Sequence, residues 1–132
     1  MVFVDTSFWI ALLIPSETHH REARDLLASL ESESLLTSNH VKGEIWTLLV
    51  RRAWHDKAVR FLDRLDATER LSVAVVSETV EDQAWRWLCR HDERPYSFVD
   101  ATSFALMRSL RIREALTFDD DFEAAGFVRL QA

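Results

Sequence analysis

The stretch Met1-Val2-Phe3-Val4-Asp5-Thr6-Ser7 decides how the rest of the chain is read. Met1–Val4 is a short apolar run, Asp5 ends it, and Thr6-Ser7 opens a helix. Acids recur around three later apolar segments. Glu44 sits inside the helical stretch His40–Ala53, Asp100 starts the helix of Ser97–Leu110, and Asp119 follows the strand-like Ala115–Phe118. If the four meet in space they form a carboxylate cluster. Bare carboxylates a few ångströms apart repel, and some are forced to take up protons unless a cation relieves them. That pattern points to hard-metal chemistry on phosphate.

The remaining strand-like runs are Leu35–Thr37, Leu71–Val76 and Phe127–Leu130, each short and bounded by polar residues. Helical periodicity fills most of the rest. Phe8–Ile14 is one buried helix that Pro15 stops. Thr18–Leu30 carries Ala23, Leu26, Leu27 and Leu30 on one face, and His40–Ala53 carries Val41, Ile45, Leu48 and Leu49. Asp56–Leu65 presents Val59, Leu62 and Leu65, Glu78–Arg90 presents Ala84, Trp85 and Leu88, and Ser97–Leu110 presents Phe104 and Met107. A last short helix begins near Asp120, with Gly126 as its C′ residue. Strands alternating with helices imply βαβ crossovers and a mostly parallel sheet with helices on both faces. In such sheets ligands bind outside the carboxyl ends of strands, where Asp5 and Asp119 fall.

Composition bounds the answer. The chain has 132 residues, enough for one domain, and 48% are hydrophobic, enough for a sizeable core. Two glycines and two prolines leave no room for linker-rich or low-complexity character. No apolar run reaches the roughly 18–20 residues of a membrane span, and no basic segment precedes the first apolar run as in a signal peptide. A single cysteine, Cys89, forbids an intrachain disulfide; it is expected to be a plain buried thiol in a reducing, cytoplasmic setting. The net charge of −6 argues on its face against nucleic-acid binding. Metal ions on a cluster of acids would invert the local field and weaken that argument. Of the 16 basic residues only Lys42 and Lys57 are lysines, and arginine forks suit phosphate.

Each acid also has an ordinary reading. Glu44 beside the stripe Val41, Ile45, Leu48 would pair with Lys42 or Arg51. Ser97 and Asp100 fit a capping box, and Asp5 with Thr6 fits a helix N-cap. Asp119-Asp120-Asp121 fits a helix start that favours the dipole; within it Asp119, nearest the strand end, is the first choice for a site and Asp121 the second. The set is stronger than its members, because all four acids lie at strand ends or on helices that border apolar stripes.

Other constellations fail. His19, His20, His40, His55 and His91 form no paired zinc spacing, and with one cysteine a structural zinc site has too few ligands. Two glycines exclude a dinucleotide or phosphate loop. A phosphate-receiver domain also carries an acid after its first strand but wants a late lysine, and none follows Lys57. Five tryptophans offer stacking platforms for bases; Trp46 and Trp87, off their helices' main stripes, are the two expected to meet a partner.

The stretches "VFVDTSFW", "TSNHVKGEIWTLL", "YSFVDATSFALM" and "LTFDDDFEAAGF" resemble PIN-domain ribonucleases, in the family's order and over the whole chain, and among them the VapC toxins of bacterial toxin–antitoxin pairs. The resemblance implies a single PIN domain over residues 1–132, an α/β/α sandwich around a parallel sheet. It implies Asp5 and Asp100 as principal ligands of magnesium or manganese, with Glu44 and Asp119 completing the catalytic set. Thr117 occupies the threonine position before the last acid, and Thr6 and Asp121 support the site. The implied activity is hydrolysis of structured RNA loops, the sarcin–ricin loop of large-subunit ribosomal RNA or the anticodon loop of transfer RNA. Candidate RNA contacts are Lys42, Arg51, Arg52 and Arg94. Implied partners are a small antitoxin protein and a second copy of the chain. A rival reading is a non-catalytic PIN-like binding module, which need not retain all four acids.

Overall fold

A computed structural model describes residues 1–131. The element order is β1 (Val2–Val4), α1 (Thr6–Leu13), α2 (His20–Ser29), β2 (Leu35–Ser38), α3 (Asn39–Arg51), α4 (His55–Ala67), β3 (Leu71–Ala74), α5 (Glu78–Arg90), α6 (Phe98–Ser109), β4 (Glu114–Leu116), α7 (Asp121–Ala124) and β5 (Val128–Arg129). The five strands form one sheet in the order β3-β2-β1-β4-β5, and every pairing is parallel. β1 is central, pairing Phe3 with Leu36 on one side and with Ala115 on the other. Its residues Val2, Phe3 and Val4 are all buried, which is why it reads as an unbroken apolar run.

The chain walks outward from β1 through β2 to β3, then crosses back over the sheet to β4 and β5. Right-handed crossovers put the helices of the two walks on opposite faces. Helices α1–α4 touch one another, α5–α7 touch one another, and α3 also reaches α6. The direction of winding reverses between β1 and β4, so a crevice opens there at the strands' carboxyl ends.

On the α6 side the core is aromatic. Phe104 meets Phe122 edge-on at 4.9 Å, and Phe122 stacks on Phe3 at 6.4 Å. On the other side Trp9 meets Phe61 at 5.5 Å. Each such buried ring contributes about 1.5–3 kcal/mol. Gly126, at φ +99°, closes α7 as a C′ residue: its N–H donates to the Glu123 carbonyl, the Phe127 N–H donates to the Phe122 carbonyl, and the two phenylalanine rings meet. The same Schellman bonding ends α3 at Ala53 (φ 59°) and α6 at Arg111 (φ 57°), neither of them glycine.

The structure shortens some expected strands and turns one helix. β3 ends at Ala74 rather than Val76, because the Val76 N–H leaves the ladder to donate to Asn39 Oδ1 at 2.9 Å. On α5 the inward face is Val80, Ala84 and Trp87; Trp87 packs on Tyr96 and Phe104. Trp85, expected on that face, is 51% exposed and stacks instead on Phe98. Trp46, like Trp87, packs against the core. Cys89 is exposed rather than buried, one position beyond Leu88 on the outer side of α5.

Candidate active site

Asp5, Glu44, Asp100 and Asp119 line one cleft of about 370 Å³, within the usual range for ligand pockets. It lies over the crevice between β1 and β4, and four elements contribute its acids. Asp5 leaves β1, Asp119 follows β4, Glu44 comes from α3 and Asp100 from the first turn of α6.

Asp5 is buried and is the N-cap of α1, as its type favours. Its Oδ2 accepts from Ser7 Oγ at 2.8 Å, from Thr117 Oγ1 at 3.0 Å and from the Ser7 N–H at 3.4 Å. Burial nevertheless pushes the Asp5 carboxyl up to about 6, against the pull of these hydrogen bonds. Ser7 Oγ also accepts from the Phe118 N–H, and Thr117 Oγ1 accepts from the Asp119 N–H. Two hydroxyls thus lock the β1 acid to the backbone that carries the β4 acid.

Asp100 completes a capping box with Ser97: the Asp100 N–H donates to Ser97 Oγ, and the Ser97 N–H donates to Asp100 Oδ2. The box fixes the carboxylate without neutralising it. Burial, then the Asp5 charge, then the Asp119 charge push the Asp100 carboxyl up to about 7. Burial also raises Asp119, whose Oδ1 accepts from the Asp121 N–H at 2.9 Å. Carboxylate oxygens of Asp100, Asp119 and Asp121 all lie within 4.8 Å of one another.

Glu44 stands half-buried in the cleft wall outside that triad. No ion pair to Lys42, Arg51 or any other cation is formed by Glu44 among the described residues, so the ordinary reading of it fails. Of the four basic candidates, Arg52 lines the cleft, paired with Glu17 at 3.3 Å. Arg94 sits at the rim, its Nε donating to Asp121 Oδ1 at 2.6 Å. Lys42 and Arg51 are not part of the cleft wall.

These residues fit a divalent cation. All the donors are oxygens, the ligand type of magnesium and manganese, and three carboxyls raised together mark a place that wants positive charge. The Thr6 hydroxyl is buried in the same wall with no hydrogen-bond partner among the described residues. A metal-bound water or a phosphate oxygen would satisfy it.

Sequence reasoning passed over Ser7, Glu17, His19 and Phe118. For Ser7 the signal was present: an aspartate followed two residues later by a serine is a local hydrogen-bonding spacing. The other three enter only through tertiary packing.

A parallel sheet with acids gathered at its winding reversal defines a class, and the chain belongs to it: residues 2–128 match the PIN domain. Over 135 aligned residues the chain is 53% identical to the 23S rRNA-specific endonuclease VapC20 of Mycobacterium tuberculosis (strains CDC 1551 / Oshkosh and ATCC 25618 / H37Rv), with 99% of this chain and 98% of that protein covered. The crystal structure of M. tuberculosis VapC20, described as a sarcin–ricin loop cleaving toxin, superposes over all of both chains with a TM-score of 0.93 and 49% identity. FitAcB from Neisseria gonorrhoeae (TM-score 0.72, 17% identity, 99% and 97% covered) and a toxin–antitoxin complex from Klebsiella pneumoniae (0.68, 15%, 99% and 97%) share the fold.

Proposed function

We propose that the chain, a single PIN domain over residues 1–132, is a divalent-metal-dependent endoribonuclease and the toxin of a toxin–antitoxin pair. Its substrate is the sarcin–ricin loop of 23S rRNA. The observation that carries this reading is the convergence of Asp5, Glu44, Asp100 and Asp119 on one cleft, three of them with raised carboxyl pKa values. The choice of RNA follows from the 53% identity to a protein named for 23S rRNA cleavage.

Asp5 and Asp100 would be the principal metal ligands, with Asp119 and Glu44 holding the metal's waters or a second ion and Asp121 in support. Magnesium or manganese, when bound, supplies positive charge to the phosphate and lowers the pKa of a bound water. The chain's own contribution is position. Thr117 and Ser7 hold Asp5 rigid, the capping box holds Asp100, and the Thr6 hydroxyl lies buried in the cleft wall, unpartnered among the described residues. Arg52 is placed to meet a neighbouring phosphate once released from Glu17. Hydrolysis of this kind leaves 5′-phosphate and 3′-hydroxyl ends and needs no covalent enzyme intermediate.

An acidic cleft also receives an antitoxin arginine well, and the same acids would be masked by it. The functional unit is proposed to be a homodimer.

The test is incubation of the purified chain with ribosomes, total RNA and transfer RNA, in magnesium, manganese or EDTA, with mapping of the cut ends. A single cut in the sarcin–ricin loop that EDTA abolishes is expected. A cut confined to anticodon loops would move the substrate, and RNA binding without cutting in any divalent ion would favour a non-catalytic module.

A further inference from the structure

We infer that His19 is a stacking platform for an unpaired RNA base beside the scissile phosphate; this rests on the RNA-cleaving reading above. Three rings form a column that starts in the core. The Phe8 ring, buried on α1, lies parallel to Phe118 at 5.7 Å and 12°. Phe118 lies parallel to His19 at 4.4 Å and 6°. His19 ends the column, with 52% of its side chain exposed, and no further ring covers it among the described residues.

The column ends at the edge of the cleft that holds the acids, and its two outer rings also border a smaller cleft beside Glu22 and Arg129. Phe118 and His19 line the acidic cleft together with Asp5, Glu44, Asp100 and Asp119, and Phe118 is the residue next to Asp119. A nucleotide whose phosphate reaches those acids therefore brings its base within reach of the imidazole.

Neither helix capping nor the core accounts for His19. It occupies the N-cap of α2 yet makes no capping hydrogen bond, a position where serine, threonine, asparagine or aspartate would serve better. Its one polar contact is Nδ1 at 3.4 Å from a Glu22 carboxylate oxygen, an exposed pair of the kind that adds little stability. What the side chain does have is a fixed orientation, set by the flat contact with Phe118. A base added at the same spacing extends the column, and looped RNA supplies unstacked bases for such contacts. His19, Phe118 and Phe8 together then select single-stranded over duplex RNA at this step, since a base inside a duplex has both faces covered by its stacked neighbours.

The probe is a synthetic RNA hairpin with the sarcin–ricin loop sequence, carrying 2-aminopurine at one loop position at a time. It is bound to the full chain in calcium and then assayed for cleavage in magnesium. Wild type should quench one position. His19→Ala should lose that quench and lose about 10- to 100-fold in kcat/KM, mainly through KM. His19→Phe should restore both to within about threefold, and His19→Lys should not. An abasic nucleotide at the quenched position should cost wild type the same factor and cost His19→Ala nothing more. Unchanged quenching and cleavage in His19→Ala overturns the inference, as does rescue by His19→Lys, which would make the role one of charge. If wild type cuts no RNA but its quench depends on the His19 ring, the cleavage reading falls and the platform stands. If cleavage is normal and the quench ignores His19, only the platform falls.

Discussion

The Thr117 hydroxyl donates to Asp5 Oδ2 at 3.0 Å across 112 residues of sequence. It also accepts from the Asp119 N–H, so one side chain sets the spacing of two site acids. Thr117→Val keeps the volume but leaves a buried acceptor and a backbone donor without this partner. It should cost about 1–3 kcal/mol in urea unfolding and at least tenfold in cleavage. Thr117→Ser should retain most of both. A Thr117→Val protein that cuts at the wild-type rate would show that the bond does not position the acids.

Asp5→Asn and Asp100→Asn should each abolish RNA cleavage while leaving the far-UV circular dichroism spectrum unchanged. Without metal, at pH 8, they should also melt at higher temperature than wild type, because each removes a charge that the fold holds at a cost. Loss of structure in either variant would mean that the ionised group is needed for folding.

The pH dependence has a definite sign. Asp5 at about 6 and Asp100 at about 7 lie above their ordinary value of 3.8, so the folded state holds extra protons between roughly pH 4 and 7. Their contribution to the stability of the metal-free protein should therefore be fully present below that window and be lost as pH rises through it, by about 3 kcal/mol from Asp5 alone. Ten millimolar magnesium should reverse the trend above pH 7, since an ion that binds only the folded state stabilises it. Melting temperatures measured with magnesium and with EDTA from pH 5 to 8 check both parts; parallel curves would exclude a metal at these acids.

Arg94 holds an oxygen of Asp121 at the cleft rim. Removing that positive charge should strengthen the cleft's pull on a cation. In calorimetric titration at low salt, Arg94→Ala should bind manganese several-fold more tightly than wild type, and the gain should shrink in high salt. Weaker manganese binding would imply that Arg94 orients Asp121 as a ligand.

Ala53 and Arg111 occupy left-handed backbone positions that glycine fills more easily. Ala53→Gly and Arg111→Gly should each stabilise by up to about 1 kcal/mol, and Gly126→Ala should destabilise by about 1 kcal/mol. Denaturant midpoints measure all three, and cleavage should not change in the first two.

The sequence made the parallel fold and the position of the acids readable for the same reason. A central parallel strand is apolar on both faces, so β1 stands out, and an acid that ends such a strand lies at the carboxyl edge of the sheet. The capping box at Ser97 and the C′ role of Gly126 were legible because their chemistry is local. The inward face of α5 was not. Val80, Ala84 and Leu88 are compatible with either Trp85 or Trp87 turning inward, and the choice is made by Tyr96 and Phe104, which lie elsewhere in the chain. Cys89 was expected inside only because cysteines usually are, and its place on α5 leaves it exposed. The caps at Ala53 and Arg111 carry no glycine to announce them, and the ring column of Phe8, Phe118 and His19 joins three separate segments.

The parallel neighbours of β1 come from residues 35–36 and 115–116, and the last acid of the cleft comes after both. A ribosome translating this chain therefore makes Asp5 long before Asp119, and the cleft cannot exist until both have been made. A fragment released before residue 119 lacks a cleft acid, and one released before Glu114 lacks one of the two strands that flank β1. If the folded protein attacks ribosomes, the one that builds it is spared at least until residue 119 has been added.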